Sequence, residues 1–64
     1  TVSEFNAMIK GLENSIAYIT HLRITNEKSE SSNIGYRNNL KHLSKLIRAA
    51  LNNAKKLRQL HNIE

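Results

Sequence analysis

The chain has no cysteine, no proline and no tryptophan, and only two glycines. It has no aspartate either, so all five acids are glutamates. Each absence removes a class of answers. Without cysteine there is no disulfide framework and no thiolate metal centre. Without proline, and with glycine confined to positions 11 and 35, nothing in the sequence breaks a helix sharply. There is no Gly-rich phosphate loop. No apolar run approaches the roughly 20 residues of a membrane span. The segment TVSEFNAMIK lacks the basic start and apolar stretch of a signal peptide.

Reactive groups also fail to converge. The glutamates are scattered. His21, His42 and His61 include no i, i+4 pair, and none stands at a recognised metal or triad spacing from a carboxylate. The chain therefore reads as a non-enzyme with no cofactor and no metal. The lack of cysteine fits an intracellular compartment, cytoplasmic or nuclear.

What remains is small and helical. A chain of 64 residues buries only about 60% of the surface its unfolded form exposes. Small domains are usually reinforced by disulfides, a metal or association with another chain. The first is excluded here and the second has no ligand cluster, which leaves association. With 39% hydrophobic and 23% charged residues the composition is that of a folded helical protein.

Phe5, Ile9, Leu12, Ile16 and Ile19 recur in steps of four and three, the spacing of one helical face. Met8 and Leu22 widen it. Ser3 is placed to cap this helix, and Glu4 sits near the positive end of its dipole. The expected helix covers about 4–23. Gly11 in its middle should cost about 1 kcal/mol relative to alanine. It reads either as a tolerated surface glycine or as a point where another helix comes close. The polar run NEKSESSN follows, and the connection is expected over about 25–33, mobile and tolerant of insertion. Ser32 and Asn33 are both adequate caps for what comes next.

The second helix is expected over about 36–62. Leu40, Leu43, Ile47, Ala50, Ala54, Leu57 and His61 alternate in steps of three and four, as heptad core positions do. Leu46, Leu51 and Leu60 flank them. His61 reads as a polar core position or as a terminal histidine favoured by the helix dipole. So wide a stripe suits a bundle, in which each helix has more than one neighbour. The expected fold is all-α: one domain, 1–64, an antiparallel two-helix hairpin that completes a helical bundle by association. A turn centred near 29–30 places Ile16 opposite the region of Leu43 and Phe5 opposite the region of Ala54. Leu57, Leu60 and Ile63 then project beyond the first helix. With Leu51 they form the candidate partner interface.

Charge is divided unevenly. Residues 1–34 hold Lys10, Arg23 and Lys28 against Glu4, Glu13, Glu27 and Glu30. Residues 35–64 hold seven bases against Glu64 alone. Lys41, Lys45, Arg48 and Lys55 share one helical face, expected opposite the apolar seam. With Lys56 and Arg58 they form a candidate basic binding face. Such a face is commonly just solvated. It also suits nucleic-acid phosphates by counterion release, or an acidic protein surface. A membrane surface fits poorly, because tryptophan is absent and Tyr18 and Tyr36 lie outside the basic helix. The expected function is a non-catalytic interaction or oligomerisation module that packs with another helical chain, a second copy or a different protein. The alternative is a small nucleic-acid-binding protein that uses the Lys/Arg face.

Overall fold

The computed structural model describes residues 1–63; Glu64 and the side chain of Ile63 lie outside what it describes. Two antiparallel helices, α1 (Val2–Lys28) and α2 (Ile34–Ile63), form the all-α hairpin that the periodicity called for. They make a single layer of 53 × 15 × 10 Å. The helices are longer than their apolar patterns suggested, and the reasons lie at their ends.

At the start of α1 the cap is Thr1, not Ser3. Its Oγ1 accepts from the Glu4 N–H at 3.2 Å, and its carbonyl accepts from the Phe5 N–H at 3.1 Å. At the far end the polar residues were expected to leave the helix. They stay in it because their side chains find partners there. Thr25 Oγ1 donates to the His21 carbonyl one turn back at 2.9 Å. The chain leaves the helix only at Ser29, which is extended and whose N–H reaches the Asn26 carbonyl at 3.2 Å.

The connection is therefore residues 29–33, and it is fastened rather than loose. Asn33 caps α2: its Oδ1 accepts from the Tyr36 N–H at 2.9 Å, and its carbonyl accepts from the Arg37 N–H at 3.0 Å. Asn26 reaches across the hinge to the same residue. Its Nδ2 donates to the Asn33 carbonyl at 3.3 Å, and its Oδ1 accepts from the Asn33 N–H at 3.2 Å. Two asparagines thus fix where α1 stops, where α2 starts and how far apart they stand. The Glu27–Arg37 pair at 3.7 Å is half-exposed on both sides and adds little.

This hinge sets the register. Asn6 meets Arg58 and Glu27 meets Arg37, so residue n of α1 lies opposite roughly residue 64 minus n. The Phe5 and His61 rings pack at 5.8 Å between centroids. Phe5 therefore faces His61 rather than the region of Ala54, and the two helices end level. The expected overhang of α2 does not exist.

Between the helices runs one seam. From α1 it takes Val2, Phe5, Ile9, Leu12, Ile16, Ile19, Arg23 and Asn26, all buried or half-buried, in unbroken steps of three and four. This is the expected α1 face, extended at both ends. From α2 it takes Leu40, Ser44, Ile47, Leu51, Ala54 and Arg58. Here the expected stripe is turned by about one position: Ser44, Leu51 and Arg58 point inward, while Leu43, Ala50 and Leu57 do not. Among the described residues the buried apolar core is only Ile9, Ile19, Leu40 and Ala54. Arg23 even leaves its Nε buried with no hydrogen-bond partner.

Replacing Asn33 with alanine removes the Oδ1 cap on the Tyr36 N–H and keeps the cross-hinge bonds, which run from the Asn26 side chain to the Asn33 backbone. It should cost about 1–2 kcal/mol, read as a melting point lower by roughly 5–15 °C for a domain this small. Inserting four Gly/Ser residues between Ser31 and Ser32 should cost only about 0.6 kcal/mol, because loop length enters logarithmically. An insertion more damaging than Asn33→Ala contradicts this account of the hinge.

Candidate association face

The seam divides each helix into two flanks. Successive helical residues turn by about 100°, so the residue just before a seam position and the one just after it lie on opposite sides. An antiparallel pair is related by an approximate two-fold axis normal to its plane. Leading flanks therefore share one face of the hairpin, and trailing flanks share the other. The contacts agree: Asn6 and Glu27, each just after a seam residue of α1, meet Arg58 and Arg37. Asn6 also lines a groove with Lys55 and Gln59, each just after a seam residue of α2.

The leading flank of α2 is Asn39, Leu43, Leu46, Ala50, Asn53, Leu57 and Leu60. That of α1 is Glu4, Met8, Gly11, Ser15, Tyr18, Leu22 and Thr25. One face of the hairpin is thus largely apolar, and it is open. Leu46 is 54% exposed, Leu57 51%, Leu60 61% and Tyr18 63%. Of its polar members Ser15 turns inward, its hydroxyl donating back to the Gly11 carbonyl at 3.0 Å, while Glu4 and Asn53 stay exposed. A Cβ built on Gly11 meets nothing within 4 Å, so no neighbour in the chain requires glycine there.

The molecule as a whole is extended for its mass. A folded monomer of 7.3 kDa exposes about 4,200 Å², and this one exposes 5048 Å². Its radius of gyration is 15.0 Å, against about 11 Å for a globular chain of this length.

The four residues first singled out as a partner interface are not together. Leu57 and Leu60 lie on the open apolar face, held level with α1 rather than beyond it. Leu51 is half-buried in the seam against α1. The side chain of Ile63 lies outside the described residues. Sequence reading missed Met8, Tyr18, Leu43 and Leu46 as members of the same exposed surface. The signal was there, since Leu43, Leu46, Ala50, Leu57 and Leu60 keep heptad spacing of their own; what was lacking was the seam's rotation.

The opposite face carries the trailing flank of α2: Lys41, Lys45, Arg48, Asn52, Lys55 and Gln59. It flanks the seam instead of lying directly opposite it. Lys41, Lys45, Arg48, Lys55 and Lys56 are exposed. Arg48 Nε makes a long 3.4 Å bond to Ser44 Oγ. Arg58 is set apart from them. It is half-buried in the seam, and its Nη1 donates to Asn6 Oδ1 at 2.9 Å. Lys55, Lys56, Arg58 and Gln59 line a groove of about 440 Å³ together with Val2, Asn6 and Asn62.

Among the described residues no three His, Cys, Asp or Glu side chains group as metal ligands, and no helix is long and apolar enough to cross a membrane. No protein-family model, curated protein or solved structure matches the chain.

The basic face makes few bonds within the chain. Lys41→Glu combined with Arg48→Glu should therefore leave helix content unchanged and shift stability by no more than about 0.5 kcal/mol. Loss of helical circular dichroism in this variant would place these side chains in an interface instead of solvent.

Proposed function

We propose that this chain is a non-catalytic association module, a helical hairpin whose apolar face packs against another helical chain. One observation carries the reading: the open face built from Leu43, Leu46, Leu57 and Leu60 with Met8 and Tyr18. Most monomers break up such surfaces, and a continuous apolar patch marks an interaction site. The energetics agree. Burying a leucine fully is worth about 1.5–3 kcal/mol, and four leucines are left half-exposed while the internal seam includes Ser44, Arg23 and Arg58. A helix with two apolar stripes and one covalent neighbour is half of a bundle.

A second reading rests on the other face, where Lys41, Lys45, Arg48 and Lys55 line up beside the groove at Lys56 and Arg58. Phosphate backbones suit such a row. Of the three aromatics, Phe5 lies in the seam, Tyr18 on the apolar face and Tyr36 in the first turn of α2, before the row begins at Lys41, so single-stranded bases would find little along the row to hold them. The two readings use opposite faces and separate cleanly.

Light scattering with and without a mixed nucleic-acid sample distinguishes them. Leu43→Ser with Leu57→Ser should abolish association, while Lys41→Glu with Arg48→Glu leaves it unchanged. The contrary result is a wild-type chain indifferent to the leucine pair that binds nucleic acid and loses it on charge reversal, with the salt slope falling by about one unit per lost phosphate contact.

A further inference from the structure

We infer that the apolar face is occupied by a second copy of the same chain, packed face to face about a two-fold axis at mid-length, with the two hinges at opposite ends. This rests on the association reading above and specifies its partner and geometry.

Size is the first argument. A face of 53 by 15 Å spans about 800 Å² in projection, room enough for the roughly 800 Å² of accessible surface that each partner contributes to a standard interface. The excess of 5048 Å² over the surface expected for this mass is of the same order. One copy of this hairpin covers another without remainder.

The second argument is the order of large and small residues. On α1 the stripe Met8, Gly11, Ser15, Tyr18, Leu22 is centred on Ser15. On α2 the stripe Leu43, Leu46, Ala50, Asn53, Leu57 is centred on Ala50. The register set by Asn6–Arg58 and Glu27–Arg37 puts Ser15 and Ala50 at nearly the same level of the hairpin. A single axis lying in the face at that level therefore passes through both centres. Rotation about it sets each stripe against its own reverse. Tyr18, 63% exposed, comes over Gly11 of the second copy, where a Cβ would meet nothing. Met8 comes opposite Leu22, and Leu43 opposite Leu57. The small pairs, Ser15 with Ser15 and Ala50 with Ala50, sit on the axis, where helices come closest. Leu46 comes opposite Asn53, and the other large residues of the two stripes oppose small ones or apolar partners. With the hinges at the same end, Tyr18 would instead oppose Leu46, and Gly11 would oppose Asn53 in place of the tyrosine it has room for.

Charge permits this mate. Each copy carries +5, but the Lys/Arg flank of α2 lies on the face turned away. In the pair the two basic faces point outward from opposite sides, one bundle apart. That separation of roughly 20 Å exceeds the Debye length of about 8 Å at physiological salt, so repulsion is largely screened.

The absence of native cysteine makes the geometry directly testable. Ser15→Cys and Ala50→Cys, prepared separately and oxidised mildly with oxidised glutathione, should each form a covalent dimer, because each sits against its own symmetry mate within disulfide reach. Ala17→Cys, on the opposite face, should not. Gly11→Leu serves as a second variant. It improves helix propensity and has room within the chain, so the hairpin folds; it blocks Tyr18 of the mate and should weaken dimerisation about tenfold or more, with Tyr18→Ala in the same chain restoring it. Covalent dimers formed only when Ser15→Cys and Ala50→Cys chains are mixed would show hinges at the same end. That overturns this inference and leaves the association reading intact. A wild-type chain that stays monomeric, with Gly11→Leu indistinguishable from it, overturns the second-copy assignment; if Leu43→Ser with Leu57→Ser is then also without effect on stability, the apolar-face reading falls with it.

Discussion

Two helices share one line of contact, and that limit governs everything else in this molecule. A pair of cylinders buries a single stripe on each, whatever the sequence offers. Here α2 offers two stripes: Leu40–Ile47–Leu51–Ala54 inside, and Leu43–Leu46–Leu57–Leu60 outside. The hinge decides which goes where. Asn26 and Asn33 fix the distance and phase of the two helices through paired bonds of 3.2 and 3.3 Å. Once that phase is set, the outer leucines have no partner in the chain. The shape, the surplus surface and the proposed association all descend from this one restriction.

The division of faces follows from the same geometry. Because leading and trailing flanks of an antiparallel pair each fall on one side, a helix that is apolar before its seam and basic after it gives the hairpin two dissimilar faces. The row of Lys41, Lys45, Arg48 and Lys55 then keeps one side in water. This arrangement leaves apolar residues open on one surface and basic charge on the other. In the proposed association, solubility and interface avoidance both ask for charge away from the contact, which is where the uneven distribution of charge along the sequence puts it.

Much of the hairpin was legible in the sequence, and the failures share a cause. The α1 seam from Phe5 to Ile19 reads correctly because its polar and apolar residues leave only one stripe to choose. In α2 the apolar arc is wider than a seam, so periodicity alone does not say which part meets α1; the choice fell one position off, and Ser44, Leu51 and Arg58 took places given to Leu43, Ala50 and Leu57. The connection was drawn too long because Thr25 and Asn26 look like loop residues. In the fold the Thr25 hydroxyl returns to its own helix and Asn26 serves the hinge. That small error in the turn shifted the register, and from it came the overhang that the structure removes. The exposed leucines survive the correction: Leu57 and Leu60 remain open, for a different physical reason.

The central claim is that this hairpin completes its core only by association through its apolar face. Thermal unfolding of the wild-type chain across a hundredfold range of concentration, with mass measured in parallel, tests it most directly. Association linked to folding makes the melting temperature rise with concentration, and the mass should approach twice 7.3 kDa at the upper end. A melting temperature independent of concentration, with a mass that stays at 7.3 kDa throughout, would contradict the account.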